Sequence, residues 1–515
     1  MPKDLPPELW SYIFDLAADE DVIFYPGLPT TMAQSTWFKP PWKDDWQLRT
    51  PQDAINMIQR RSYATKKTVI ATCRGWRRLG TEFLVRCLFF DNPTKLRDLC
   101  AIFDRDPGLG WWARRIHITH FSNGRGPKID DFENPLISIL HHCPNLEIFI
   151  VDWPMASSFG PIAETLGAYC TKLRTVHWHV PSETLPKVIW ALDSLPSLVS
   201  VHIEFDAPTV DSDTITLGAA SNVRLNLVNL HQLSLRGFCQ EFLEQATGWN
   251  FPGLRSFSFD FGSNRHDLPD LVSFLAHHGT QLLLLDLDCI PPLDVCTILD
   301  MCPLLVVFSF NPDWKLPSMN GNDTLTNANS EDDFSQPVAI VNRPHEHIKH
   351  IGLHGLLYAF GVGYAAEYAS VDPLRTMMIR RANDRNFDAL VKANFPSLRC
   401  VRVLSPTVLL DLDAADGPDV LCFERWERWW NMCNHMGVRL EDCTGAQLGI
   451  LPQDEEDEEE EVEEEEERWD DDETECEYKN DTGGGVSVTE LRQLLDECRK
   501  MSAERDNPTF EFTFH

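Results

Sequence analysis

The sequence predicts an α/β fold made of strand–helix units stacked one on the next. Three observations predict it. A short connector followed by Leu-x-x-apolar-x-apolar recurs from about Trp111 onward, its central copies spaced by about 23 to 32 residues. Within each copy apolar and polar residues alternate, as they do along a strand with one buried face. Between copies lie stretches of helical spacing, such as Pro135 to His142 and Leu268 to His277. A single unit cannot cover its own apolar face, so the units must stack into a solenoid over residues 111–445.

The copies read as follows. Ile116 and Ile118 form a degenerate first one. Then come Leu146, Phe149 and Val151; Leu173, Val176 and Trp178; Leu198, Val201 and Ile203; and Leu230, Leu233 and Leu235. Leu254, Phe257 and Phe259; Leu282, Leu285 and Leu287; and Leu305, Phe308 and Phe310 continue the series. Weaker copies hold Ile348, Ile351 and Leu353, and Leu398, Val401 and Val403. The Asn-, Ser- and acid-rich stretch from Asn320 to Val341 reads as a loop leaving the array. The aromatic helical pattern around Trp426, Trp429 and Trp430 reads as a cap over the last repeat, because an open end exposes core.

Residues 1–90 read as a separate helical module. Leu9, Ile13, Leu16 and Ala17 fall at helical spacing behind a pair of prolines suited to a first turn. A Pro-, Trp- and Thr-rich insertion follows, at about 18–65, and helical spacing resumes near Lys66 with Val69, Ile70, Cys73 and Trp76 along one face. At the other end, residues 446–486 carry the acidic run Asp454 to Glu477, which self-repulsion should keep disordered. Residues 487–501 open with a Ser487-x-x-Glu490 capping box and continue as an amphipathic helix.

Composition narrows the function. An apolar fraction of 43% over 515 residues supports a substantial core. The formal net charge of −34, with no basic stripe to offset it, disfavours nucleic acid and anionic membrane surfaces as partners. No signal peptide and no membrane-spanning apolar run is read, and the 15 cysteines include no CxxC pair. The expected setting is cytosol or nucleus, with thiols reduced and buried. Asn322 and Asn480 match the glycosylation pattern but matter only in the secretory route.

Leu5-Pro-Pro-Glu-Leu-Trp-Ser-Tyr-Ile-Phe resembles the opening helix of an F-box, and Val69-Ile-Ala-Thr-Cys-Arg-Gly-Trp-Arg-Arg-Leu resembles its later helix. The repeats behind them look like those of leucine-rich-repeat F-box proteins of a kind common in fungi. The long insertion departs from the F-box pattern. The resemblance implies a non-catalytic substrate receptor of an SCF-type cullin-RING ubiquitin ligase. In that family the F-box packs on a Skp-type adaptor and the repeats hold a target protein. By position, Leu5, Pro6, Leu9, Ile13, Val69, Cys73 and Trp76 would touch the adaptor. A leucine-rich scaffold working without any ligase is the alternative.

In strand–helix repeats the residues between the buried positions point to the concave face. One row holds His117, His177, His202, Ser234, Ser258, Asp286, Ser309, Gly352 and Arg402; a parallel row holds His179, Glu204, Arg236, Asp260, Asp288, Asn311 and His354. His177, His179, His202, Glu204, Arg236, Asp260, Asp286 and Asp288 are the expected target-binding residues. Histidines early and acids later would favour a partner with basic groups towards the C-terminal end. His177 and His202 come from strands about 4.8 Å apart, but no fixed ligand spacing accompanies them, so no metal and no cofactor are expected.

Other motifs fail on inspection. Gly361-Val-Gly-Tyr-Ala-Ala loosely matches a dinucleotide fingerprint but lacks the strand before it, and reads as a turn. His345-Glu-His-Ile-Lys-His would need its second zinc histidine where Lys349 stands. The sequence has no nucleophile elbow and no phosphate loop.

Overall fold

A computed structural model describes residues 6–18, 20–33, 36–38, 47–49, 51–90, 94–119, 129–208, 215–261, 269–289, 294–314, 340–363, 365, 371–413 and 420–447. The acidic run, the amphipathic segment 487–501, most of the loop from Asn320, both glycosylation motifs and Leu5 lie outside them. The fold is mixed α/β. Residues 36–48 belong to a separate small unit, with β1 (Thr36–Phe38) and β2 (Gln47–Arg49) forming a two-stranded sheet.

Residues up to Ser35 and from Arg49 to Gly449 form the main unit. It opens with α1 (Pro7–Ala17), α2 (Glu20–Ile23), α3 (Pro51–Thr72) and α4 (Arg74–Arg86). A twelve-stranded sheet follows, of β3 (Cys87–Phe90), β4 (Arg115–Ile118), β5 (Ile148–Pro154), β6 (Thr175–Pro181), β7 (Ser200–Asp206) and β8 (Gln232–Gly237), then β9 (Ser256–Phe261), β10 (Leu284–Cys289), β11 (Val307–Phe310), β12 (His350–Leu353), β13 (Cys400–Val403) and β14 (Arg439–Glu441). Every strand pairs, in parallel, with its neighbour in sequence. Parallel neighbours need a crossover, and the helical stretches read from the sequence supply it.

The register carries the repeat pattern across the sheet. Phe149, Val176, Val201, Leu233, Phe257, Leu285, Phe308, Ile351 and Val401 stand side by side in one buried row. Val151, Trp178, Ile203, Leu235, Phe259, Leu287, Phe310, Leu353 and Val403 form the second. Both rows join helix residues such as Leu136, Ile162, Val188, Leu243, Leu275 and Ile298 in one continuous core. Each such side chain contributes roughly 1.5–3 kcal/mol by leaving water.

Three sequence expectations need correcting. The second helix starts at Pro51, not near Lys66, so the insertion is shorter than expected. The stretch from Val69 to Trp76 is two helices rather than one. Cys73 is extended (φ −159°, ψ 166°) and caps α4, its sulfur accepting the Trp76 N–H at 3.4 Å. Gly80 lets the two helices close up, since a Cβ there would stand 2.8 Å from Ile70. The sheet also extends one strand further at each end than the repeats indicated, to β3 and β14. Trp429 stacks on Phe387 (3.9 Å, 8°) and Trp426 lies beside Phe360, so the aromatic helix Val420–His435 packs into the core, and β14 comes after it. Gly361 is the left-handed C-cap of the short helix Leu357–Phe360, a turn and not a phosphate cradle.

Candidate functional site

Two surfaces gather the residues singled out by the sequence. The first is α1. Phe14 is its buried anchor, set edge-on against Trp76 (5.3 Å) and Phe83 (5.6 Å) of α4. Trp10 packs on Trp76 at 4.7 Å, and Asp15 pairs with Arg86 at 2.7 Å. With that face satisfied, the opposite one remains apolar and open: Leu9 is 47% exposed, Tyr12 61%, Ile13 40% and Leu16 50%. Their i, i+3, i+4, i+7 spacing makes one continuous stripe. Pro6 stands exposed at the N-cap. Val69, Cys73 and Trp76, grouped with this stripe by the sequence reading, are half-buried between the helices. Tyr12 was missed; its place on the stripe is visible only once the buried side of the helix is known.

The second surface is the sheet face turned away from the helices. Its innermost positions are covered by the chain's own N-terminal segment. Arg115 donates to the Ile23 carbonyl (2.6 Å) and Thr175 to that of Pro26 (2.6 Å). Gln232 exchanges two hydrogen bonds with Leu28, at 2.8 and 3.1 Å. Thr31 donates to Asp286 (2.8 Å), and Arg402 to the Met32 carbonyl (2.6 Å). Residues 23–32 thus cross from β4 to β13 as a strap. Helix α3 covers the start of the sheet, with Gln59 donating to His117 Nδ1 at 2.8 Å.

This cover changes the status of one expected row. His117, Ser309, Asp286 and Arg402 are buried rather than presented to a partner. Asp286 accepts from Thr31 and Ser258 and pairs with His354 at 2.6 Å. Burial opposes charge on His354, but Asp286, with Asp288 and Asp260 nearby, raises its pKa to about 9. Of the outer row, the stretch from Glu204 to Asp288 stays at least partly open, while His354 is largely buried: Arg236 reaches Asp260 at 3.0 Å and Glu204 at 3.9 Å, and Asp288 accepts from Asn311 at 3.0 Å. Crowding of Asp260 with Asp288 in a partly buried setting raises the Asp260 pKa, after the larger effect of burial itself. The exposed remainder is net acidic.

The histidines form a cluster at β4 to β8. His177 and His202 are register partners on β6 and β7, their rings 4.1 Å apart and edge to face. His202 Nδ1 lies 2.8 Å from Ser234 Oγ, and His177 Nδ1 lies 3.1 Å from Asp152. Asp152 also accepts from His117 Nε2 at 3.2 Å. It stands two residues after Ile150, the register partner of His177, so alternation puts it on this face; the rows read from the sequence passed over β5. His179, next along β6, is paired with Asp206 at 2.8 Å.

No family model matches the chain, and no curated protein matches it. Among the described residues no helix is long and apolar enough to cross a membrane.

Proposed function

We propose that the chain is a substrate receptor of an SCF-type cullin-RING ubiquitin ligase, with an F-box formed by α1, α3 and α4 and a leucine-rich-repeat solenoid formed by the strand–helix units. One observation carries the reading: the open stripe of Leu9, Tyr12, Ile13 and Leu16 on a helix whose other face is already packed. An apolar stripe of this spacing suits a hydrophobic groove on a partner. The F-box-like sequence of this helix favours the Skp-type adaptor as that partner. The receptor then acts by holding a target near the ligase, raising its effective concentration, and needs no catalytic group of its own.

The target would meet the outer row, Glu204, Arg236, Asp260 and Asp288, since the strap fills the inner one. Three acids against one arginine favour a target with basic groups. The test is co-purification with the adaptor. Wild type should retain it, and the Leu9→Asp/Ile13→Asp double variant should lose at least about tenfold in affinity. A wild type that retains no adaptor, or a double variant that retains it undiminished, leaves the ligase-independent scaffold as the surviving reading.

A further inference from the structure

We infer that His177, His202 and Glu204 form a binding site for a divalent transition-metal ion of the zinc class, on the sheet face turned away from the helices, at β6 and β7. One ring nitrogen from each histidine and one carboxylate oxygen of Glu204 all lie within 4.8 Å of one another. The sheet register produces this without any local sequence motif. His177 faces His202 across the β6–β7 ladder, and Glu204 follows His202 by two residues, on the same face of β7. Two imidazoles and a carboxylate are a ligand set that zinc accepts, with a fourth position left to water or another donor.

A second observation is independent of the clustering. His177 Nε2 is sealed from solvent and has no hydrogen-bond partner. A buried polar atom left in this way costs about 1–3 kcal/mol unless something satisfies it, and a cation would. The neighbours prepare both rings for the task. Asp152, 3.1 Å from His177 Nδ1, favours the proton on that nitrogen, and Ser234 Oγ sits 2.8 Å from His202 Nδ1. With Nδ1 of each ring turned towards these oxygens, Nε2 is the nitrogen free to ligate, and the charge of Asp152 behind His177 favours that arrangement.

The surroundings set limits. His179 is excluded because its Nε2 is already held by Asp206. Arg236 opposes a cation, but its guanidinium is drawn to Asp260 at 3.0 Å and stands 3.9 Å from Glu204.

The test uses the untagged full chain, stripped with a chelator and titrated with zinc by calorimetry and with cobalt by visible absorption. The expected result is one equivalent of cobalt with the intense spectrum of a four-coordinate ion, displaced by zinc, and a rise in melting temperature on zinc addition. Glu204→Gln, on the partly exposed rim, should weaken binding at least about tenfold, and His177→Gln/His202→Gln should abolish it. His141→Gln, at an exposed histidine elsewhere, should leave it unchanged. A wild-type chain with no saturable uptake overturns the site. So does undiminished uptake in Glu204→Gln, which decides the matter even if the double variant does not fold.

Discussion

Arg402 Nη1 donates to the carbonyl of Met32 at 2.6 Å, joining positions 370 residues apart. The same guanidinium holds Glu441 through two bonds, at 2.7 and 3.0 Å. One buried arginine therefore fastens the end of the N-terminal strap to the last two strands of the sheet. Thr31, one residue earlier, ties the strap to β10 through Asp286. The strap and the sheet should loosen together. Arg402→Leu removes a buried pair and takes from Glu441 its buried cation, leaving the more exposed Arg439 at 3.2 Å, which should cost about 3 kcal/mol in denaturant unfolding. Thr31→Val removes one hydrogen bond, costs about 1 kcal/mol, and should speed amide exchange and proteolysis across residues 24–33.

The two faces of α1 should separate stability from binding. Leu9→Asp/Ile13→Asp changes solvent-facing positions and should shift unfolding free energy by no more than about 0.5 kcal/mol per site. Phe14→Ala empties the contact with Trp76 and Phe83 and should cost about 3 kcal/mol. Trp76 is unsuitable for testing docking alone, because it packs on both Trp10 and Phe14. Paired thermal melts and adaptor titrations of these variants check the separation.

The His354–Asp286 pair predicts a pH dependence. The His354 pKa lies near 9 in the folded chain, above its usual 6.5. The stabilisation is therefore fully present below pH 6.5 and is lost as pH rises through about 9. Its size is on the order of 3 kcal/mol. Urea midpoints should fall across that window in wild type, and His354→Gln should flatten the fall.

Gly237 closes β8 with φ +81°, and a Cβ there would stand 2.1 Å from the Phe205 carbonyl oxygen. Gly237→Ala has both the wrong backbone preference and a collision with main chain, which cannot rotate away. It should cost about 2–3 kcal/mol or more, seen as a lowered melting temperature.

The strands from β4 to β13 were legible because their buried positions repeat as Leu-x-x-apolar-x-apolar. β3 was not, since Cys87-Leu-Phe-Phe follows α4 with no connector to set the frame. β14 is only three residues long, too short for alternation to register. The strap left no sequence signal because the sheet grips it mainly by its main chain: the carbonyls of Ile23, Pro26, Leu28 and Met32, which any residue supplies. The same cause hid the burial of Asp286. The row assignments themselves were readable, because strand period alone puts His177, His202 and Glu204 on one face. The same period puts Asp152 on that face, two residues after Ile150; what it could not give was the 3.1 Å approach of Asp152 to His177.

Docking of an adaptor on α1, as proposed, would shield the amides of that helix. Hydrogen exchange of the full chain, read by mass spectrometry with and without a purified Skp-type adaptor, tests it most directly. Exchange should slow in Pro7–Ala17 and stay unchanged in β8 and β9. No slowing in Pro7–Ala17 at saturating adaptor, or slowing confined to the sheet, would contradict it.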